Sequence, residues 1–219
     1  MRKQQREAIL ALLEETYMGT ETALNYSTPF ELLVAVIMSA QCTDERVNKI
    51  TARIFPKYNT PEKMGALSQE QLEEEIRDCG LFRSKAKNLL ATCKMLTEEY
   101  NSVIPDTVEE LMKLPGVGKK TANVVASIVY KVPAIAVDTH VFRVSHRLGL
   151  AKGDDPLAVE KELQKAIPKN KWSDAHHWLI WHGRKICKAR NPLCSECVLV
   201  ELCPYKDCLL YTSDAADEL

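Results

Sequence analysis

Two adjacent lysines, Lys119 and Lys120, are the residues best placed for amine chemistry. They follow the segment LPGVG at residues 114–118, whose two glycines permit positive φ angles and a tight reversal between two helices. The N–H groups of such a hairpin and of the next helix's first turn point outward, which suits an anion such as a DNA phosphate. Either lysine is therefore a candidate phosphate contact or a candidate nucleophile.

A lysine attacks as a nucleophile only when its amine is neutral, and its ordinary pKa is about 10.4. The helix dipole contributes only about 0.3–1 kcal/mol, whereas one pKa unit corresponds to about 1.36 kcal/mol. A helix N-terminus alone therefore lowers the pKa by less than about one unit. Desolvation must supply the remainder, so we expect a nucleophilic lysine at this position to be partly buried.

Asp138 is the candidate acidic partner, because it ends the apolar run VPAIAVD at residues 132–138 and precedes a helix. Aspartate is also a common N-cap, and the residues alone leave both roles open.

Four of the eight cysteines lie within seventeen residues, in the pattern Cys187-x6-Cys194-x2-Cys197-x5-Cys203. In a cytosolic chain such a cluster indicates a metal site rather than disulfides. Structural zinc sites usually contain two close ligand pairs, whereas only one Cys-x2-Cys pair occurs here. Iron–sulfur clusters are bound by four cysteines at varied spacing, which favours an iron–sulfur site. The other three cysteines within residues 1–207 are interpreted as buried apolar residues: Cys42, Cys79 and Cys93.

The elements that carry these residues are predicted to be helical throughout. Capping boxes at residues 28–31 and 68–71 each open a helix, the first with a proline at its first position. The first helix, FELLVAVIMSAQ, is apolar nearly all round and therefore buried. Further helices are predicted from residue 107 to the hairpin and at residues 84–100, 119–129, 139–148, 156–167 and 173–186. The β-branched run 132–138 has no partner strand, and we interpret it as an extended loop.

The composition, 46% hydrophobic and 27% charged, is typical of a soluble globular protein. We find neither a membrane span nor a signal peptide, and we expect a cytoplasmic, nucleoid-associated bacterial protein. Residues 208–219 resemble translated adapter sequence from a sequencing library, and we expect them to be disordered. They contain three acidic residues and no Lys or Arg, so without them the net charge of −1 becomes +2. DNA binding would then depend on local basic patches.

The motifs LPGVGKKTANVV and AVDTHVFRVSHRLGL, followed by WHGR and the cysteine cluster, resemble the endonuclease III family of base-excision glycosylases. The resemblance covers nearly all of residues 1–207. It implies that Lys120 and Asp138 are catalytic, that Gln41 fills the gap left by a flipped nucleotide, and that Leu81 intercalates. It also implies a [4Fe–4S] cluster on the four cysteines. The remaining candidate DNA contacts are Gly116, Gly118, Lys119, Thr121, His140, Lys188 and Arg190.

The implied activity is that of a bifunctional, monomeric glycosylase and abasic-site lyase acting on double-stranded DNA. The damaged nucleotide is flipped out, Lys120 attacks the sugar C1′ and forms a Schiff base, and β-elimination cuts the strand on the 3′ side. The implied substrates are oxidised or ring-saturated pyrimidines, such as thymine glycol, and abasic sites. This mechanism predicts a partly buried Lys120 close to Asp138.

Two alternatives compete with this interpretation. An adenine glycosylase of the same superfamily has a catalytic glutamate in the helix that ends at Gln41, but residues 34–40 contain no acid. It also lacks a lysine at the position of Lys120 and carries an additional C-terminal domain. A non-enzymatic cluster-containing DNA-binding module would have no use for a lysine in a cleft with an aspartate partner.

The implied fold is all-α and two-lobed, a helix–hairpin–helix DNA glycosylase fold. Residues 21–132 are expected to form a six-helix lobe, with the helix–hairpin–helix at residues 107–129. Residues 1–20 and 133–207 are expected to form a discontinuous iron–sulfur lobe, and the DNA cleft is expected to lie between the lobes.

Overall fold

The computed structural model describes residues 2–205, which form α-helices and short 3-10 turns joined by loops. No β-strand occurs in this part of the chain, so the all-α prediction is confirmed. The proposed adapter-derived tail, residues 208–219, lies outside the described residues. The chain forms two compact units: residues 22–132 make up one, and the segments before and after them make up the other.

The unit of residues 22–132 is built around a central helix. This helix, α2, is buried at every position from residue 30 to residue 38, as its all-round apolarity predicts. It packs against α3, α6 and α8. The unit contains seven helical segments, whereas six helices were expected. Two of the seven, α4 and α7, are only five and four residues long. The segments are α2 (Pro29–Ser39), α3 (Asp44–Ile54), α4 (Pro61–Gly65), α5 (Gln69–Glu75), α6 (Phe82–Glu99), α7 (Val108–Leu111) and α8 (Lys119–Tyr130).

The other unit has a separate hydrophobic core, in which α11 packs against α1 and α9. Residues 131–138 have no regular structure, in agreement with the extended loop predicted for residues 132–138. Within this segment, residues 134–137 are buried. The helices of this unit are α1 (Lys3–Tyr17), α9 (Thr139–Arg147), α10 (Pro156–Ala166) and α11 (Trp172–Lys185). Within residues 2–205, no helix is both long and apolar enough to cross a membrane.

Side-chain caps fix where several helices begin. The predicted capping box at residues 68–71 forms in full, with Ser68 and Gln71 each accepting the other's backbone N–H. The box at residues 28–31 forms only in part. Thr28 accepts the N–H of Glu31, but the Glu31 carboxylate accepts the N–H of Ser27, at 2.6 Å, because its side chain reaches one residue beyond the cap.

Candidate functional site

The hairpin between α7 and α8 is held against α6. Gly116 has φ of +78°, and a Cβ atom there would lie 2.9 Å from both Cβ and Nδ2 of Asn88. The buried Thr92 hydroxyl donates a hydrogen bond of 2.8 Å to the carbonyl of Pro115. Gly116 is therefore required both for the turn and for close packing. The sequence reasoning missed Asn88 and Thr92, although polar residues four apart on a mostly buried helix face are a usable signal.

Gly118 does not use the positive φ that a glycine permits. Its φ is −86°, which any residue can adopt, and its contact with DNA stays a prediction. Gly118 is instead the N-cap of α8, it provides no side-chain cap, and the site of its missing Cβ has no atom within 4 Å. The first turn of α8, with Lys119 and Thr121, thus presents an N-terminus that no cap side chain covers, a geometry suited to a phosphate.

Lys120 is exposed, so the prediction that it is partly buried is wrong for the protein without DNA. The reason is its position on α8. The buried face of this helix includes Ala122, Val125 and Ala126, and Lys120 lies about 200° around the axis from Ala122. The amine of Lys120 is therefore on the face of α8 opposite the buried one, where solvent reaches it.

Asp138 is half-buried and caps α9, with Oδ1 accepting the N–H of Val141 at 2.7 Å. The N-cap role, one of the two left open by the sequence, is therefore present. A carboxylate has two oxygens and about four acceptor sites, so one capping bond leaves capacity for a second role.

His140 is also half-buried, and its Nδ1 lies 3.2 Å from Nη2 of Arg143. Burial is the main cause that lowers the pKa of His140, and the positive charges of Arg143 and Arg184 lower it further, against the opposing effect of Asp138. The lowered pKa favours the neutral ring near pH 7, and Nδ1 faces Arg143, which can only donate.

The two candidate inserting residues, Gln41 and Leu81, lie in turns beside α2 and α6. Both side chains are exposed, Leu81 by 58%, and both backbones are left-handed, with φ of +53° and +58°. Positive φ is uncommon for residues other than glycine and tends to mark functional sites. The turns touch, because a Cβ atom on Gly80 would lie 2.8 Å from the carbonyl oxygen of Gln41. Leu81 is therefore not a core leucine.

All four clustered cysteines line one pocket, which they share with apolar side chains that include Leu148, Ile186 and Val200. In the described chain, no three metal-binding side chains are close enough together to hold a single ion. Four thiols in one largely apolar pocket are a donor set that fits an iron–sulfur cluster. They are Cys187, Cys194, Cys197 and Cys203.

Two arginines on α9 fix the first part of this loop. Arg143 donates to the carbonyl oxygens of Gly183 and Cys187 at 2.9 and 3.1 Å. Arg147 donates to those of Lys188 and Ala189 at 2.7 and 3.1 Å. Lys188 and Arg190 are left exposed at the surface of the loop. The sequence reasoning did not single out either arginine, although their spacing of four places them on one face of α9.

Residues 34–169 match the HhH-GPD superfamily of base excision DNA repair proteins, and residues 187–203 match the iron–sulfur binding domain of endonuclease III. Endonuclease III of Rickettsia prowazekii is 50% identical over 205 residues, which is 94% of this chain and 97% of that protein. Endonuclease III of Bacillus subtilis is 50% identical over 200 residues, 91% of each chain.

Among solved structures, a trapped covalent endonuclease III–DNA intermediate is 50% identical, with a TM-score of 0.92 over 96% of this chain and 99% of that one. A thermostable thymine-DNA glycosylase has a TM-score of 0.84 at 22% identity and shares the fold.

Proposed function

This chain belongs to the endonuclease III family of the HhH-GPD superfamily, and on that premise we propose that Lys120 is its catalytic nucleophile. The chain is a base excision repair DNA glycosylase and abasic-site lyase, it binds DNA, and it carries a [4Fe–4S] cluster.

The observation that carries the proposal is the position of Lys120. It is exposed in the first turn of α8, directly after a hairpin whose next helix has no side-chain cap. A phosphate held at this N-terminus would bring a sugar of the same strand close to the amine. A covalent intermediate with DNA has been trapped in a relative that is 50% identical, and such an intermediate requires a protein nucleophile.

The reaction then proceeds through a Schiff base. The nitrogen of Lys120 bonds to the sugar C1′, and the damaged base leaves with the electrons of the glycosidic bond. The nitrogen loses a proton and the sugar ring opens to give an imine. Loss of a C2′ proton expels the 3′ phosphate, and water then hydrolyses the imine. The carboxylate of Asp138 accepts the proton from the amine or stabilises positive charge on the sugar.

The substrates we propose are oxidised or ring-saturated pyrimidines and abasic sites in double-stranded DNA. The resemblance to the family supports this choice. We propose that the protein acts as a monomer on cytoplasmic, nucleoid DNA, and its matched relatives are bacterial.

The unit of residues 22–132 is proposed to provide the nucleophile, the hairpin and the inserting residues. Gln41 fills the space of the flipped nucleotide, and Leu81 wedges into the base stack. The other unit is proposed to provide Asp138, the DNA-contacting His140 and the cluster. The cluster, on Cys187, Cys194, Cys197 and Cys203, shapes the loop whose Lys188 and Arg190 contact phosphates, with no redox step in base removal. The hairpin contacts are Gly116, Gly118, Lys119 and Thr121.

Borohydride trapping across a set of damaged duplexes tests this function. Reduction of the imine freezes the covalent complex, so trapping occurs only where the amine has formed an imine with the sugar C1′. We expect efficient trapping on thymine glycol and abasic duplexes, little on a duplex with an oxidised purine, and an adduct that peptide mapping assigns to Lys120. Absence of trapping on every duplex would contradict the nucleophile, and excision of adenine from a mismatch without an adduct at Lys120 would favour the adenine glycosylase alternative.

The substitution Asp138→Asn separates the two roles of this residue. Asparagine caps helices about as well as aspartate, so we expect the stability to stay within about 0.5 kcal/mol of wild type. Loss of the charge should lower the single-turnover base excision rate by roughly 10²–10⁴-fold. Thermal unfolding and rapid-quench assays give the two quantities.

Asp155→Asn is the matched control, because Asp155 is the N-cap of α10 and accepts N–H groups of Leu157 and Ala158. We expect that variant to keep the wild-type rate. A wild-type rate in Asp138→Asn would leave Asp138 with its capping role only.

A further inference from the structure

Lys85 is a buried lysine, only 5% exposed, on the second turn of α6. A buried ammonium group is costly unless its donors are satisfied. Its Nζ donates to the carbonyl oxygens of Met38 at 2.8 Å and Ala40 at 2.6 Å, and to Sγ of Cys79 at 3.2 Å. All three donors of the group therefore have partners. Because Lys85 is buried, it is not a candidate for contact with DNA.

The two carbonyl groups lie at the C-terminus of α2, where a helix carries unpaired carbonyls and partial negative charge. The last turn of α2 has no basic residue of its own. Lys85 supplies the cation from α6 instead. The next residue after Ala40 is Gln41, whose left-handed backbone begins the turn.

The third partner lies just before the other inserting residue. Cys79 is two residues from Leu81, and its thiol also lies 3.3 Å from the carbonyl of Met38. Between Cys79 and Leu81, Gly80 packs against the carbonyl of Gln41. The ammonium of Lys85 is therefore bonded to both turns at the place where they meet.

We propose that Lys85 is a positioning residue that holds Gln41 and Leu81 in their left-handed conformations before DNA binds. Preorganisation of this kind removes the ordering cost from the insertion step. The inference rests on the proposed function in one respect, namely that Gln41 and Leu81 enter the duplex.

The test compares a substrate that needs insertion with one that does not. The first is a fully paired thymine glycol duplex. The second is a duplex with an abasic site opposite a one-nucleotide gap. The abasic nucleotide of the second can flip out without displacing a stacked base on the opposite strand. Lys85→Met removes the ammonium and keeps the apolar stem. We expect its single-turnover rate to fall roughly 10–100-fold on the paired duplex and to stay within about threefold of wild type on the gapped one. A 2-aminopurine opposite the lesion should brighten less on binding.

Gly80→Ala is a second variant that disturbs the same contact without removing a buried charge, because its Cβ would lie 2.8 Å from the carbonyl oxygen of Gln41. Like Lys85→Met, it should lower the ratio of the rate on the paired duplex to the rate on the gapped duplex. It tests the positioning role if Lys85→Met does not fold. Lys94→Met is the matched control on the same helix. The side chain of Lys94 is 73% exposed, and we expect this variant to behave as wild type on both substrates.

Gln41→Ala and Leu81→Ala serve as reference variants. If they change the ratio while Lys85→Met and Gly80→Ala do not, the positioning role is overturned and insertion stands. If Lys85→Met slows both substrates equally, Lys85 is merely structural and the inference is overturned. If neither reference variant changes the ratio, insertion itself is wrong, and the inference falls with that part of the proposed function.

Discussion

Lys120→Gln is expected to abolish borohydride trapping and to slow base excision by at least about 10³-fold. Removal of the nucleophile removes the covalent route itself, and a 10³-fold loss corresponds to about 4 kcal/mol of barrier. Glutamine is one atom shorter than lysine, is polar and has a similar helix propensity in the first turn of α8. The fold and the hairpin should therefore survive, which thermal unfolding checks. Single-turnover excision with enzyme in excess over a thymine glycol duplex measures the loss.

Lys119→Gln is the control for this variant, because it removes the same charge from the adjacent position. Lys119 is proposed to contact a phosphate, so its loss should weaken binding and reduce the salt dependence of log K by about one. Trapping at saturating enzyme should stay close to wild type. The reverse result, with trapping lost in Lys119→Gln and kept in Lys120→Gln, would reassign the nucleophile to the neighbouring lysine.

The exposure of Lys120 gives a second test of its position. A small amine-reactive reagent can reach the amine in the free protein, and bound DNA should protect it from modification. Unchanged modification in the presence of DNA would contradict a place for Lys120 at the DNA-binding surface.

The features that were predicted correctly from the sequence can each be recognised within a short stretch of the chain. The burial of α2 follows from its own composition, and the cysteine spacing lies within seventeen residues. Lys85 and Thr92 were missed because their partners are 47 and 23 residues away along the chain. A lysine in the segment SKAK is ordinarily a surface residue, and only the folded chain brings three acceptors to it.

The two hairpin glycines differ for a reason that the sequence does not show. Both permit a positive φ angle, yet only Gly116 has one. The sequence alone cannot distinguish a glycine needed for its backbone angle from one needed for the space beside it. Gly118 has open space, so a Gly118→Ala side chain would be accommodated in the free protein and would meet only a bound ligand.

Cys197→Ala is expected to remove the broad visible absorbance of the iron–sulfur cluster and to destabilise the protein. Cys197 lines the cluster pocket with the three other cysteines, and its Sγ lies 3.7 Å from Nε2 of His182. Binding of a metal centre contributes directly to the folding free energy of the segment that ligates it. We expect a loss of at least about 3 kcal/mol, or roughly 6–12 °C in Tm, measured by calorimetry beside the absorbance spectrum.

Cys93→Ala is the matched control, because Cys93 is a buried cysteine in the core of the other unit. It should lose some stability and keep its colour. A coloured Cys197→Ala protein would remove Cys197 from the ligand set, and a colourless wild-type protein that contains zinc would overturn the iron–sulfur assignment.

Cys197→Ala also separates the structural role of the cluster from the chemistry. The cluster shapes the loop that presents Lys188 and Arg190. Loss of the cluster should therefore reduce the slope of log K against log salt for DNA binding by about two, at roughly 0.9 per phosphate contact. The double variant Lys188→Gln/Arg190→Gln should reproduce this smaller slope with the visible absorbance intact. Both proteins, when saturated with DNA, should still form the borohydride adduct at Lys120, because the cluster takes no part in base removal. Loss of the adduct in Cys197→Ala, with the protein folded and DNA bound, would instead place the cluster in the catalytic steps.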